Sequence, residues 1–354
     1  MLTTRQMDLV LNIPKAENHI HIEGSIPWDL ALKLAKKNNV TLPVDTVEAL
    51  REWTSKKIEA DGLNGFMVCD RTINSVCVHA EDYEQVIVEM ARNSRDQNVI
   101  YQEWHLDYPL NAERGITMEV VMEGYRRGKE RALEEYGVDI VYIAGIDRTL
   151  SPEKGYDFID RLQAYGDLVE GVGMDCEEDG YPCRDHVKTY ELAKARGLFR
   201  TAHAGEDGGE EEGVQNIWDA LHILDVQRID HGCQAVESPE LMDYLAKEKI
   251  LCAMCPFCNL ATGAAKSSEE HPIHDLLRAG VPVSISSDDP PYLLDLVQEY
   301  AFALDVLKLS EDELIQCGRN GFEYSVRGQK YLPVFEEWVR MFKSKYADDD
   351  KENA

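Results

Sequence analysis

The chain alternates between short apolar stretches and longer amphipathic ones. The short stretches predict strands near residues 14–20, 99–106, 138–144, 168–175, 198–203, 227–231, 249–254 and 281–287. Between most of them, as in AEDYEQVIVEMARNSRDQN, apolar residues recur every three or four positions, which is typical of a helix buried on one face. This alternation of strands and helices predicts a parallel sheet.

About eight repeats of this kind predict an α/β protein with a closed (β/α)8 TIM barrel. We expect extra helices after strand 1, within 26–98, and at the C-terminus, where Ser310-x-x-Glu313 has the form of a capping box. The 26–98 segment is also a candidate lid over the barrel mouth. Residues 1–345 are predicted to form one metal-dependent barrel, and residues 346–354 an acidic, disordered tail.

Charge narrows the range of partners. The 354 residues include 66 acidic and 37 basic ones, which gives a net charge of −29. Such a surface repels phosphate backbones and anionic membranes, so neither a nucleic acid nor a membrane is an expected partner. No apolar run approaches the roughly 20 residues that span a bilayer, and the first residues lack a signal peptide's apolar core. We therefore expect a cytoplasmic protein whose nine scattered cysteines are reduced.

Polar side chains with catalytic potential follow four of the predicted strands. They are His19 and His21 after strand 1, His203 and Glu206 after strand 5, His231 after strand 6, and Asp288 and Asp289 after strand 8. A single histidine at a strand end is more often a hydrogen-bonded structural residue than a ligand. In a barrel, however, the carboxyl ends of all strands meet at one mouth, where active sites lie. The four groups together therefore indicate one site.

Four of these residues form a plausible metal-binding set. Alternation along a strand points both histidines of His19-x-His21 to the same side. Zinc accepts imidazole nitrogen and carboxylate oxygen, and a catalytic zinc site keeps one position for water. His19, His21, His203 and Asp288 are accordingly the predicted ligands, although iron or manganese accepts similar groups.

The motifs PKAENHIHIEGS, TAHAGED, RIDHG, CPFCN and SDDPP resemble, in this order, those of the adenosine/adenine deaminases of the amidohydrolase superfamily. The resemblance extends from about residue 13 to about residue 330. It implies one Zn²⁺ per chain, held by the four predicted ligands. It also implies that Glu206 protonates N1 of the purine, that His231 orients and helps to deprotonate the attacking water, and that Asp289 contacts the N7 side.

The resemblance implies hydrolysis of adenosine or adenine to inosine or hypoxanthine and ammonia. Glu23 and Glu178 resemble the adenine branch, and both are predicted to contact substrate. The stretch YQEWHLDYPLNAERG departs from the family pattern through His105 and Tyr108. A modified purine or nucleoside, such as an N6-substituted adenine, is therefore an alternative substrate. The oligomeric state is not predicted.

Other interpretations are weaker. The spacing of Cys252, Cys255 and Cys258 can bind an iron–sulfur cluster or zinc, but Thr262 stands where the ferredoxin pattern has its fourth cysteine. His21-x-Glu23 mimics the cytidine deaminases but lacks their P-C-x-x-C motif. Two alternatives stay open: an amidohydrolase that cleaves an amide or a phosphoester, and a non-catalytic metal-binding relative. The stretch LVEGVGMDC offers no lysine to bridge two metals, which favours one metal.

Overall fold

A computed structural model describes residues 1–347 and contains one sheet of eight strands. The strands are β1 Lys15–His21, β2 Val99–Leu106, β3 Asp139–Asp147, β4 Val169–Asp175, β5 Phe199–Ala204, β6 Arg228–His231, β7 Leu251–Met254 and β8 Val283–Ile285. Each strand pairs in parallel with the next along the chain. Every strand lies where the hydrophobic pattern predicts one, although β8 is shorter than its apolar stretch.

Backbone hydrogen bonds between β1 and the segment after β8 close the sheet. The Asp288 N–H donates to the His19 carbonyl over 3.3 Å, and the His21 N–H donates to the Asp288 carbonyl over 3.1 Å. Asp288 has a φ of 63°, a left-handed conformation that is unfavourable for a residue with a Cβ. The bonds that close the barrel hold this conformation, and they place Asp288 beside the two histidines of β1.

Fifteen helices accompany the strands in the described part of the chain. They are α1 Thr4–Asn12, α2 Trp28–Asn38, α3 Val47–Asn74, α4 Ala80–Asp96, α5 Tyr108–Glu113, α6 Met118–Arg131, α7 Pro152–Arg161, α8 Val187–Ala195, α9 Gly209–His222, α10 Pro239–Glu248, α11 Pro256–Ala261, α12 Ile273–Ala279, α13 Leu296–Asp305, α14 Glu311–Glu323 and α15 Leu332–Lys345. Three helices lie between β1 and β2 and three follow β8, as expected. The predicted TIM barrel with extra helices in these two places is confirmed.

Local sequence explains several helix ends. The predicted capping box is present at α14, where the Glu313 N–H donates to Ser310 Oγ and the Ser310 N–H donates to Glu313 Oε2. Helix α1 was not predicted, although Thr3 and Gln6 form the same kind of box at its start. Helix α3 carries a kink at Gly62, whose φ of 56° and ψ of −134° are not helical.

No described helix is both long and apolar enough to cross a bilayer. Residues 348–354, most of the predicted acidic tail, lie outside the described residues. The disorder of that tail and the cytoplasmic location stay predictions.

Candidate active site

The four predicted metal ligands come from three places in the barrel. His19 and His21 lie on β1, His203 lies on β5, and Asp288 follows β8. His19, His203 and Asp288 are buried, and His21 is partly exposed at the mouth. The structure thus brings together four side chains that are up to 269 positions apart (288 − 19) in the chain.

Their ligand atoms converge. Nε2 of His21 lies 3.2 Å from Nε2 of His203. Oδ1 of Asp288 lies 3.3 Å from Nε2 of His19 and 3.5 Å from Nε2 of His21. Ligands about 2.0–2.1 Å from a tetrahedral zinc ion would be separated by about 3.3 Å. The observed distances therefore suit the binding of one metal ion by these side chains.

A carboxylate faces Nδ1 of each of the three imidazoles. Oδ2 of Asp107 lies 3.6 Å from Nδ1 of His21. The Asp230 carboxylate lies 3.7 Å from Nδ1 of His19 and 4.0 Å from Nδ1 of His203. A carboxylate on this side favours a proton on Nδ1, and it leaves the Nε2 lone pair free for a metal.

Asp230 is itself held firmly under the site. Its two oxygens accept hydrogen bonds from Arg228 Nε and Thr201 Oγ1, each over 2.8 Å. Arg228 also forms a buried ion pair with Glu103. Asp230 lies within the RIDHG motif, yet sequence analysis assigned it no role, because its partners come from other strands.

The chemistry of the four residues fits a cation. Neither ring nitrogen of the buried His19 has a hydrogen-bond partner, which is rare for buried polar atoms. Burial opposes protonation of His21, but Asp107, Asp289 and Asp288 raise its pKa well above the usual value. Although burial favours a neutral Asp288, the surrounding imidazoles lower the pKa of this carboxyl. The site is thus electrostatically suited to positive charge.

We expect Asp230→Asn to lower zinc affinity about 10- to 100-fold, because the amide orients the imidazoles less strongly than the carboxylate. Competition with a chromophoric chelator measures this affinity. The exposed Asp243→Asn is the matched control and should bind zinc as the unmodified protein does. A variant whose metal-free form is less stable in urea, but whose zinc affinity is unchanged, would assign Asp230 a purely structural role.

Glu206 and His231 lie beside the predicted ligands. Nε2 of His231 lies 3.4 Å from Oε2 of Glu206 and 3.9 Å from Oδ2 of Asp288. Burial, together with the charges of Asp288, Asp207 and Glu178, raises the pKa of Glu206 well above its usual range. Burial lowers the pKa of His231 to about 3. Burial thus favours the protonated form of the Glu206 carboxyl and the neutral form of the His231 imidazole beside it.

Asn259 fixes the His231 ring. Nδ2 of this buried amide lies 2.9 Å from Nδ1 of His231. Asn259 belongs to the CPFCN motif, and it stands in helix α11 just after β7. The contact leaves Nε2 of His231 as the ring nitrogen that faces Glu206 and the metal ligands.

Glu178 is placed behind the Glu206 loop. Its Oε1 accepts a hydrogen bond from the Gly205 N–H over 2.8 Å. Its Oε2 accepts bonds from the N–H groups of Glu206 and Asp207 over 2.8 and 3.3 Å. Glu178 is buried and is not among the residues that line the cavity beside the ligands. The structure thus gives this carboxylate backbone partners where sequence analysis predicted a substrate contact.

A cavity of about 250 Å³ opens beside the predicted ligands. Glu206, His231 and Asp289 line it, as does Glu23. Helix α3 contributes Phe66 and other side chains to its wall, so part of the predicted lid segment does border the mouth. The size suits a small molecule.

Three further features of the mouth were not predicted. Asp107 and Asp175 line the cavity at the ends of β2 and β4. His105, which sequence analysis noted only as a departure from the family pattern, forms a second possible metal-binding group with His21 and Asp175. No signal in one sequence separates such residues from barrel packing.

The cysteine motif does not form a cluster. In the described residues, no group of possible metal ligands contains more than one cysteine. Cys252, Cys255 and Cys258 are all buried as free thiols. Cys255 groups with His19 and Asp288, so it lies next to the predicted zinc ligands.

A parallel (β/α)8 barrel with three imidazoles and a carboxylate at its mouth defines the class of metal-dependent hydrolases. The family model described as "Adenosine deaminase" matches residues 14–331. The chain belongs to this family.

Individual relatives agree with this assignment. The chain is 34% identical over 319 residues to an adenine deaminase of Hahella chejuensis, covering 90% of this chain and 93% of that protein. The crystal structure of adenine deaminase from Arthrobacter aurescens superposes with a TM-score of 0.86 at 29% identity, over 93% of this chain and 99% of that one. An amidohydrolase from Burkholderia ambifaria, crystallised with bound Zn, has the same fold, with a TM-score of 0.87 at 22% identity over 98% and 96% of the chains.

Proposed function

We propose that this protein catalyses the hydrolytic deamination of a 6-aminopurine, with one zinc ion per chain. The observation that carries the proposal is the convergence of the four ligand side chains with Glu206 and His231 at one cavity. The similarity to proteins named adenine deaminases supports adenine as the first substrate to test. A protein that only binds a metal would not need a raised carboxyl pKa beside the ligands.

Glu206 acts as the proton donor. C6 of adenine is a poor electrophile, and a proton on N1 localises the C6–N1 double bond and makes C6 open to attack. Burial and the neighbouring carboxylates raise the pKa of Glu206, which favours the protonated carboxyl that this step needs. The backbone N–H of Glu206 donates to Oε2 of Glu178. This bond helps to keep the Glu206 carboxyl in position for the purine ring.

His231 and Asp289 act on the other reacting groups. His231 presents Nε2 to the attacking water and orients it, while Asn259 holds the ring. Burial and Asp288 raise the pKa of Asp289 well above its usual range, which favours the protonated carboxyl that would donate to N7. Zinc, when bound by His19, His21, His203 and Asp288, supplies a Lewis acid that makes water available as a nucleophile near neutral pH. Water replaces the amino group at C6, and ammonia leaves.

The test is an ammonia-release assay on the zinc-loaded protein with adenine and adenosine in parallel. We expect deamination of at least one of them. Zinc bound at one equivalent, without ammonia from either substrate, would contradict deamination of the simple purines and direct the search to substituted ones.

We expect Glu178→Gln to lower kcat about tenfold, because its amide NH₂ cannot accept the N–H bonds that orient the Glu206 loop. The charge of Glu178 also raises the pKa of Glu206. A general acid works only while protonated, so removing that charge lowers its pKa and moves the alkaline limb of the pH–rate profile to lower pH. The zinc content should not change.

The exposed Glu177→Gln, one residue away, is the matched control. If Glu178→Gln changed KM and left the pH–rate profile unchanged, this result would instead support the predicted contact between Glu178 and the substrate.

A further inference from the structure

Six acidic residues line the cavity in addition to Glu206, Asp288 and Asp289. One of them, Asp207, follows Glu206; the other five, Glu23, Asp70, Asp107, Asp147 and Asp175, are here called the acid wall. No lysine or arginine is among the residues that line this cavity in the described chain. Surface charge does not account for this arrangement, because Glu23, Asp70 and Asp175 are buried.

The barrel topology sets the wall beside the metal centre. The proposed ligands come from β1, from β5 and from the segment after β8. Each of the intervening strands β2, β3 and β4 has an aspartate at its carboxyl end. Asp107 directly follows β2, and Asp147 and Asp175 are register partners at the ends of β3 and β4. A substrate in the cavity therefore meets carboxyl groups along this whole arc of the mouth.

Gly145 on β3 brings two of these carboxyls together. A Cβ at this position would collide with Oδ1 of Asp107 and with Oδ2 of Asp175, so only glycine lets the two oxygens converge over β3. Both oxygens are buried and have no hydrogen-bond partner. Two carboxyl oxygens that converge in this way either share one proton or accept a donor from a bound molecule.

Glu23 supplies a further acceptor without a donor. Its Oε1 accepts a hydrogen bond from the Tyr125 hydroxyl over 3.1 Å, whereas its Oε2 has no partner. Glu23 is only 3% exposed and Asp175 likewise 3%, yet both line the cavity. These unpaired buried oxygens point to a ligand with several N–H donors.

The wall also brings acidic groups together without a lysine or arginine among the described lining residues. Burial and the charge of Asp107 raise the pKa of Asp70 to about 7, which shows that the acidic groups repel one another. A bound cation would relieve that repulsion, whereas a phosphate would increase it.

We propose that the substrate is a 6-aminopurine that carries a protonated amine, and that the acid wall binds this ammonium group through Glu23, Asp107 and Asp175. The inference rests on the proposed deaminase function and narrows its substrate class. It disfavours purine nucleotides, because the described residues of the cavity wall include no lysine or arginine to pair with a phosphate. The amine belongs on the N9 side, since Glu206 and Asp289 are proposed to contact N1 and N7.

The test compares 9-(3-aminopropyl)adenine with 9-butyladenine, which has the same length but no charge. Adenine, adenosine and AMP complete the panel. Dissociation constants of the corresponding 6-oxo products, which cannot be deaminated, are measured by calorimetry on the zinc-loaded protein. We expect the aminopropyl compounds to bind roughly tenfold tighter or more than the butyl compounds, and AMP to be rejected.

Asp175→Asn should reduce this preference several-fold, and Asp70→Asn serves as a second variant if the first does not fold. The exposed Asp243→Asn should leave it unchanged. Equal or weaker binding of the aminopropyl compounds would overturn the inference, as would AMP turnover. A second metal equivalent lost in Asp175→Asn would also overturn it, since the wall would then hold a metal with His21 and His105. If no purine of the panel releases ammonia, the proposed deaminase function is contradicted. The ratio of the dissociation constants of the butyl and aminopropyl compounds tests the acid wall separately, because it does not depend on turnover.

Discussion

Glu206→Gln is expected to lower kcat/KM for the deaminated purine by about three orders of magnitude, or about 4 kcal/mol of transition-state stabilisation. Glutamine keeps nearly the same shape and leaves the backbone N–H of residue 206 bonded to Glu178. It cannot deliver a proton to N1. Steady-state ammonia release over a range of substrate concentrations measures the loss, which should fall on kcat more than on KM.

Glu211→Gln is the matched control, because Glu211 is exposed on helix α9 and lies in the same acidic stretch as Glu206. It should retain full activity. Zinc content and melting temperature of Glu206→Gln should equal those of the unmodified protein. A loss of less than about tenfold would show that another group protonates the purine.

Removing the metal is expected to abolish deamination and to destabilise the fold. Without a cation, the buried His19 has two ring nitrogens without partners, and the acceptor groups of the mouth repel one another. A ligand present at about 1,000 times its dissociation constant stabilises the folded state by about 4 kcal/mol. Thermal unfolding before and after dialysis against a chelator should show a lower Tm for the stripped protein.

Restoring one equivalent of zinc should restore both activity and Tm, which separates metal loss from irreversible damage. His203→Gln is the companion variant, because it deletes the imidazole that lies 3.2 Å from His21 Nε2. It should behave like the stripped protein even with zinc added. A Tm that does not change on chelation, with under half a zinc ion per chain beforehand, would contradict a metal centre at this site.

Substrate selection and catalysis divide between two parts of the mouth. In the proposed reaction the ligands, Glu206 and His231 act at C6, whereas the acid wall lines another part of the cavity. Variants of the wall should therefore change which purine binds, whereas variants of the first group should stop the reaction with every purine.

The one-dimensional pattern was sufficient for the barrel. Short apolar stretches separated by amphipathic stretches with a period of three to four repeat along the chain, and parallel strands joined by helices leave few topologies. The motifs at the strand ends were equally informative, because strand direction alone brings the ends of β1, β5, β6 and β8 to one mouth. His19-x-His21 was decisive, since alternation fixes the common direction of both rings.

Only the tertiary structure decided the roles of residues whose partners are distant in sequence. Asp230 faces imidazoles from two other strands, and Glu178 accepts bonds from a loop 27 to 29 residues further along the chain. The acid wall requires Gly145 to let carboxyls from β2 and β4 converge. Sequence encodes residue type and local period, whereas hydrogen-bond partners and charge clusters depend on distances across the barrel. For that reason the sequence determined the fold and the reaction class and predicted the ligand set, whereas only the structure showed how the predicted ligands are oriented and which carboxyl groups converge at the cavity.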